Sequence, residues 1–169
     1  GGLTRLGLEE LYVRLEKPVY NVVYRWVWNA EEARDVVQEA FLKLWHMRER
    51  VRVATVEPLL YRIAVNLARN RRRSRRLWRW ATLGSVTRAR DSAPGADECL
   101  EAVQSRERVR RAVDALPEKL RAVVVLSELS GMRYADVART LGIPEGTVAS
   151  RRHAAVERLR RMLEPEQEA

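Results

Sequence analysis

The chain has 169 residues, of which 46% are hydrophobic and 33% charged, which is enough apolar material for packed cores. It contains no run of about 18 apolar residues, so we expect no membrane insertion. The single cysteine, Cys99, excludes an internal disulfide and a cysteine-based zinc site, and a reducing, cytoplasmic compartment is the simplest expectation. The net charge of +9 indicates polyanionic partners, nucleic acid first and an anionic membrane second.

The basic charge is concentrated in one segment. Residues 1–60 carry 9 basic and 9 acidic side chains, whereas residues 61–90 carry 10 basic side chains and no acidic one. A GC-rich genome favours arginine codons, but codon bias would spread arginine evenly along the chain. We therefore favour a binding surface over codon bias as the explanation for the concentration of arginines in this segment.

Composition also divides the chain. The stretch 82–97 reads TLGSVTRARDSAPGAD, and its Gly, Ser, Pro and Asp residues interrupt helical periodicity. Strand signals are nearly absent elsewhere. We therefore predict an all-α fold of two small helical domains, residues 1–81 and 105–169, joined by a flexible linker over residues 82–104.

Apolar residues recur at helical spacing in both domains. A first stripe runs from Leu8 to Val27, and Pro18 is expected to kink or restart that helix. Asn29 is the predicted N-cap of a second helix, and a third begins near Thr55. In the second domain we predict helices near 105–115, 118–129, 134–141 and 145–163.

The strongest functional pattern is a helix-turn-helix over residues 134–163. Ala138 is small where two helices would cross, Gly142 suits the positive φ of a tight turn, and Val148 would pack the second helix on the first. An ordinary helical hairpin is the alternative. DNA binding is favoured, because short polar groups and arginine on the second helix suit the major groove. The candidate contacts are Thr147, Ser150, Arg151, Arg152 and His153.

Two further patterns are weaker. Asn66 and Asn70 lie one helical turn apart and are flanked by arginines, so together they could hold an unstacked base and its phosphates. A solvated helix end explains that spacing equally well. An acidic and polar strip in the second helix begins at Asp35 and extends towards Trp45, and most such strips are merely solvated.

Together these segments resemble the extracytoplasmic-function (ECF) sigma factors of bacterial RNA polymerase. DVVQEAFLKLW, residues 35–45, resembles the clamp-binding helix of that family, and LYRIAVNLARN, residues 60–70, resembles its promoter −10 recognition helix. Residues 116–151 resemble its fourth domain. The order and spacing of the motifs, and the missing third domain, also match.

The resemblance implies a role for each motif. Docking on the β′ clamp of core polymerase would use Asp35, Gln38, Glu39, Leu42 and Trp45. Promoter −10 DNA would be bound by Arg62, Asn66, Arg69, Asn70 and Arg73, with Asn66 holding a flipped base. The −35 element would be bound by the helix-turn-helix residues named above, although Arg152 stands where the family usually has an apolar residue. The family also implies no enzymatic activity, no cofactor, no metal and an anti-sigma partner.

Other classes of protein remain open at this point. A stand-alone helix-turn-helix regulator would dimerise and would not require the 35–45 motif. An RNA-binding protein using the arginine segment would leave the helix-turn-helix unexplained. An enzyme is the least favoured class, because His46 and His153 have no partner cluster and the sequence has no Gly-rich phosphate loop.

Overall fold

The computed structural model describes residues 2–81 and 99–164. The chain forms two compact units, Gly1–Asp91 and Ser92–Ala169. Every regular element in the described residues is helical, which confirms the predicted all-α fold of two small helical domains. Among those same residues, no helix combines the length and the apolar character that a membrane crossing requires.

The described part of the first unit consists of three helices, α1 (Arg5–Val27), α2 (Ala30–His46) and α3 (Val56–Ala81), with a 3-10 turn before α3. Each of the three contacts the other two. Burying one aliphatic side chain in such a core contributes about 1.5–3 kcal/mol relative to leaving it exposed. The core residues that are at most 1% exposed include Val19, Val22, Val23, Trp26, Val36, Leu44, Leu60, Ala64 and Val65.

The N-terminus of α2 is capped as the sequence predicts. The Asn29 side chain accepts a hydrogen bond from the backbone N–H of Glu32 at 2.7 Å. Glu31 and Glu32 occupy the first turn, where the positive end of the helix dipole favours carboxylates. This cap fixes where α2 begins and therefore which of its residues face the core.

The helix α1 runs through Pro18 without interruption, so the alternative that the helix restarts there is wrong. Proline lacks a backbone N–H and clashes with the preceding turn, at a cost of about 3 kcal/mol in a helix interior. Leu15 and Val19 are 4% and 0% exposed, so packing on both sides of Pro18 offsets this cost.

The second unit contains α4 (Leu100–Ala115), α5 (Glu118–Val124), α6 (Tyr134–Leu141) and α7 (Glu145–Leu163). The segment Val125–Leu129 continues α5 as a π-helical turn. The helix α7 contacts α4, α5 and α6, and it is therefore the central element of this unit. One buried cluster comprises Leu116, Val124 and Ala155, with Leu120, Leu129 and Leu159 packed against it.

The helix α4 begins at Leu100 and not at the predicted 105, so residues 100–104, assigned to the linker, are helical. The sequence gives little sign of this start. Cys99 occupies the N-cap position and makes no side-chain cap hydrogen bond, whereas Ser, Thr, Asp or Asn would have marked the boundary. The rest of the predicted linker, residues 82–98, lies outside the described residues.

A buried arginine joins α4 to α5. Arg121 is 6% exposed, and its guanidinium donates hydrogen bonds to the carbonyls of Val113, Asp114 and Leu116 at 3.3, 3.1 and 2.8 Å. The last carbonyls of a helix have no partner within the helix. Arg121 therefore satisfies the C-terminus of α4 and fixes the turn into α5.

Candidate protein- and nucleic-acid-binding surfaces

One exposed face of α2 carries the first set of predicted residues. Asp35 and Gln38 are exposed, and Leu42 is 51% exposed despite being apolar. Their spacing of three and four residues places them on one side of the helix, away from Val36 and Leu44 in the core. The structure therefore presents a carboxylate, an amide and a leucine together to solvent, a mixture suited to protein contact.

Glu39 and Trp45 lie at the edges of this face and already have partners. One carboxylate oxygen of Glu39 lies 3.3 Å from Lys43 Nζ, and the other lies 3.2 Å from the guanidinium of Arg71 in α3. Trp45 is half-buried, and the guanidinium of Arg48 lies 4.3 Å from the centre of its ring. These two residues therefore flank the exposed face formed by the other three.

The predicted asparagine pair lies on the outer surface of α3. Asn66 and Asn70 are exposed one turn apart, while Ala64 and Ala68 on the opposite side are fully buried. The accompanying arginines differ in exposure: Arg62 and Arg73 are exposed, and Arg69 is half-buried. The shared face that the spacing predicts is confirmed, and the arginines run along it.

Sequence reasoning missed Arg75, which anchors the arginine segment to the rest of the unit. Its guanidinium donates a hydrogen bond to the Val27 carbonyl at 3.1 Å and pairs with the carboxylate of Glu32. Val27 is the last residue of α1, just before Trp28 adopts a positive φ of 53°. Arg75 therefore ties α3 to the junction between α1 and α2, through contacts that span more than forty positions of sequence.

The helix-turn-helix has the predicted geometry. The helix α6 ends at Gly142, whose φ is +67° and whose N–H donates to the Ala138 carbonyl at 2.8 Å. Pro144 then precedes α7, and Val148 is completely buried. Any residue with a side chain would be strained at that φ, so glycine lets the chain turn tightly between the two helices.

The outer face of α7 carries most of its predicted contacts. Ser150 and His153 are exposed, and Thr147 and Arg151 are half-buried. The Ser150 hydroxyl donates to the Thr147 carbonyl at 3.2 Å. Because Thr147, Ser150 and Arg151 are three and four residues apart, they share one face, with His153 beside it.

Arg152 lies beside this face and not on it. It stands four residues after buried Val148 and three before buried Ala155, so it lies on the inner flank of α7. Its guanidinium donates a hydrogen bond to the Glu128 carboxylate in the π-helical turn, and that bond holds the pKa of Glu128 below its ordinary value. The structure therefore separates Arg152 from the residues with which the sequence grouped it.

The two histidines are both exposed, in different units of the chain. Within residues 2–81 and 99–164, no three His, Cys, Asp or Glu side chains lie close enough together to hold a metal ion.

Two family models match the chain, one in each unit. Residues 11–77 match sigma-70 region 2, which covers most of the three-helix bundle. Residues 106–159 match sigma-70 region 4, which covers the helix-turn-helix and the helices that support it.

Relatives in several bacteria resemble both units. The RNA polymerase sigma-H factor of Pseudomonas aeruginosa is 32% identical over 166 residues, which cover 92% of this chain and 85% of that protein. The ECF RNA polymerase sigma-E factor of Escherichia coli is 31% identical, with coverages of 92% and 85%. The ECF sigma factor SigE of Mycolicibacterium smegmatis is 32% identical over 90% of this chain, and the chain spans 60% of its length.

Solved structures share the fold at lower identity. The sigma factor RpoE of Bartonella quintana, solved with the anti-sigma factor NepR, matches with a TM-score of 0.71 and 20% identity over 94% of this chain and 98% of its own. CnrH, solved with the cytosolic domain of CnrY, matches with a TM-score of 0.67 and 21% identity over 95% and 89%. With both region models and these relatives matched along one chain, the protein belongs to the ECF sigma factors of the sigma-70 family, which are RNA polymerase sigma factors.

Proposed function

We propose that this protein binds bacterial core RNA polymerase, directs it to promoters that carry a −35 and a −10 element, and promotes DNA melting there. The observation that carries this proposal is the presence of both sigma-70 regions in one chain of ECF type. In this proposal the exposed face of α2 binds polymerase, that of α3 binds the −10 element, and that of α7 binds the −35 element. A stand-alone helix-turn-helix regulator would need only the α7 face.

The α2 face is the proposed polymerase contact. Asp35 and Gln38 offer hydrogen-bonding groups around the apolar side chain of Leu42, and all three side chains are exposed to solvent. Interfaces commonly place a few apolar residues at the centre and polar groups at the rim. Glu39 and Trp45 would complete the rim on either side, at the cost of exchanging their present partners for those on the clamp.

The α3 face is the proposed −10 contact. A carboxamide such as that of Asn66 both donates and accepts hydrogen bonds, so it can pair with the edge of an unstacked base. Unstacking a base costs a few kcal/mol, and stacking in a pocket returns about 1–3 kcal/mol per base. Arg62 and Arg73 would hold neighbouring phosphates, with Arg69 and Asn70 beside them, and contacts of core polymerase must supply the remaining free energy.

The α7 face is the proposed −35 contact. Thr147, Ser150, Arg151 and His153 would approach base edges and phosphates in the major groove. Arg152 would act differently, because its bond to Glu128 fixes the position of α7 on the rest of the unit. Two weak DNA-binding units gain effective concentration when both are held on polymerase, so neither needs high affinity alone.

We further propose that an anti-sigma protein regulates this factor in the cytoplasm. Of the two structural neighbours described above, one was solved with the anti-sigma factor NepR and the other with the cytosolic domain of CnrY. A partner that covered Leu42 and its neighbours would block the proposed polymerase contact.

Binding to sigma-free core polymerase tests the proposal against the stand-alone regulator. We expect the full chain to co-elute with core polymerase at one copy per complex and to bind duplex DNA only weakly without it. A chain that is folded, dimeric and tightly bound to duplex DNA, yet does not co-elute with core polymerase, would support the regulator instead.

A further inference from the structure

A single serine interrupts the arginine run of α3. Residues 71–76 read RRRSRR, so Ser74 has three arginines before it and two after it. The exposed serines in the described ranges, 2–81 and 99–164, are Ser74, Ser105 and Ser150. Of these, only Ser74 has an arginine among the three residues before it. The α3 surface therefore offers an exposed hydroxyl within a strongly basic segment.

The surroundings of Ser74 match what a serine kinase requires of a substrate. Protein kinases select their substrates partly by the pattern of charge around the target hydroxyl. The arginines of residues 71–73 would bind acidic groups of the kinase, and the Ser74 side chain is exposed beside them. Ser105 is also exposed, but it lies between Gln104 and Arg106 and lacks this pattern. Charge and exposure together therefore single out Ser74.

The position of Ser74 within a helix leaves it accessible. A kinase holds the residues around its target in an extended conformation, so this part of α3 must open first. Every buried residue of α3 lies between Val56 and Ala68. Opening the turns after Ala68 therefore exposes no core side chain, and it breaks helical hydrogen bonds and exposed contacts such as that of Arg71 with Glu39.

We propose that Ser74 is a phosphorylation site, modified by a serine kinase that uses ATP and recognises the flanking arginines. The Ser74 Oγ attacks the γ-phosphorus of ATP, the bond from that phosphorus to the ADP oxygen breaks, and a carboxylate of the kinase takes the hydroxyl proton. The products are phosphoserine and ADP. The phosphate brings a charge of about −1.5 to −2 at neutral pH and three acceptor oxygens into the arginine segment.

The new phosphate would lie next to the proposed −10 contacts. Asn70 is one helical turn before Ser74 and Arg73 is adjacent to it, so a DNA phosphate held there would be repelled. Arg71, three residues before Ser74, would gain a strong acceptor within its own helix in place of the Glu39 carboxylate. Phosphorylation should therefore weaken binding of single-stranded DNA. This consequence rests on the proposed function, whereas the modification itself does not.

A labelling experiment tests the site itself. The free full chain is incubated with ATP and a purified serine kinase whose substrate groove is acidic, and mass spectrometry quantifies the phosphate at each serine. We expect labelling of Ser74 to exceed that of Ser105 at least about tenfold, and Ser74→Ala to remove most of the total label. A peptide of residues 69–79 shows whether the kinase accepts the same segment when it is not folded.

DNA binding tests the consequence. Fluorescence anisotropy with a labelled single strand compares the full chain before and after phosphorylation at several salt concentrations. Loss of one phosphate contact lowers the slope of log affinity against log salt by about 0.7, which corresponds to roughly tenfold in affinity at about 50 mM salt. We therefore expect phosphorylation of Ser74 to weaken binding about tenfold at low salt and to flatten the slope.

Two glutamate variants provide a matched comparison. Ser74→Glu should reproduce part of the loss, about threefold, because it adds one negative charge beside the arginines. Ser105→Glu changes the net charge equally in the other unit and should alter affinity by less than about 1.5-fold. Circular dichroism checks that each variant is folded.

Each part of the proposal has a result that would overturn it. No labelling of Ser74 in the full chain, or labelling equal to that of Ser105, would overturn the site, and the peptide shows whether fold or sequence is the reason. Unchanged DNA affinity and salt slope after phosphorylation, or equal effects of the two glutamate variants, would overturn the effect on DNA. Co-elution of the unmodified chain with core polymerase tests the proposed function separately, since it does not depend on phosphorylation.

Discussion

The carboxylate of Glu39 in α2 lies 3.2 Å from the guanidinium of Arg71 in α3, and so joins the proposed polymerase surface to the arginine segment. Both side chains remain partly exposed, at 36% and 43%. A polymerase contact that engages Glu39 would therefore free Arg71 for a phosphate. We therefore expect this ion pair to couple the two proposed surfaces of the first unit.

Glu39→Gln should weaken binding to core polymerase and, in the free chain, strengthen binding to duplex DNA. Exposed ion pairs contribute about 0–1 kcal/mol, so we expect a gain in DNA affinity of about two- to fivefold at low salt. Anisotropy with duplex DNA and co-elution with core polymerase measure the two effects.

Glu57→Gln is the matched control, because Glu57 forms a comparable ion pair with Arg14 at 3.0 Å and its loss changes the net charge equally. The coupling predicts a larger change in both measurements for Glu39→Gln. Equal effects of the two variants would contradict the coupling, because the change in net charge would then explain both results.

Replacement of both Asp35 and Gln38 by alanine should lower affinity for core polymerase at least about tenfold, because each loss would leave a hydrogen-bonding group of the clamp without a partner, at a cost of about 1–3 kcal/mol. Both side chains are exposed, so the unit should remain folded. Glu10→Ala combined with Asn21→Ala removes one carboxylate and one amide from exposed positions of α1 and serves as the control. Unchanged co-elution of the Asp35 and Gln38 variant with core polymerase would contradict the docking assignment.

Asn66→Ala should impair promoter melting and leave core binding intact. The change removes an exposed amide from the outer face of α3 and leaves the core unaltered. We therefore expect it to affect only the proposed contact with the base. The reactivity of unpaired thymines in the holoenzyme–promoter complex reports the extent of melting, and Asn21→Ala is the control for loss of an exposed amide. Loss of core binding by Asn66→Ala, or full melting activity, would contradict the −10 role.

Arg152→Met should weaken −35 binding indirectly, because it removes the bond from α7 to Glu128 while retaining an unbranched apolar side chain. If Arg152 acts through this pair, Glu128→Gln should reproduce much of the loss, and the double variant should be little worse than either single variant. An Arg152 that binds phosphate directly predicts instead that Glu128→Gln leaves DNA affinity unchanged or raises it. DNA binding by the full chain and thermal unfolding separate these outcomes.

The same pair predicts a pH dependence. The hydrogen bond from Arg152 lowers the pKa of Glu128 below its ordinary 4.5. A carboxyl whose pKa is lower in the folded state stabilises that state above its unfolded pKa, and this stabilisation is lost as pH falls through the folded pKa. As the pH falls from about 5, the unfolding temperature of the unaltered chain should therefore decrease more than that of Glu128→Gln. Because both groups are partly exposed, added salt should shrink the difference.

Much of the three candidate surfaces could be predicted from the sequence, because their positions depend on the local helical repeat. The faces of α2 and α3 follow from the helical repeat once the ends of the helices are known, and Asn29 marks one end directly. Gly142 and Val148 likewise have roles that a turn between two adjacent helices requires. In these cases the residues that decide the structure are close together in sequence.

The features that escaped prediction depend on distant contacts. The contact of Arg152 with Glu128 spans 24 residues, and that of Arg75 with the Val27 carbonyl spans 48. Arg121 satisfies the end of a neighbouring helix, although a lone arginine in sequence suggests a solvated side chain. The predicted alternative of a restart at Pro18 was wrong for the same reason, since the burial of Leu15 and Val19 on either side of it offsets the cost of the proline.

Transcription in vitro tests the central claim most directly. The full chain is mixed with sigma-free core polymerase and sheared DNA from its host, and the 5′ ends of the transcripts are sequenced. The account predicts defined start sites behind a shared two-element promoter, with starts lost in Asn66→Ala. Folded protein that neither binds core polymerase nor yields defined starts would contradict it.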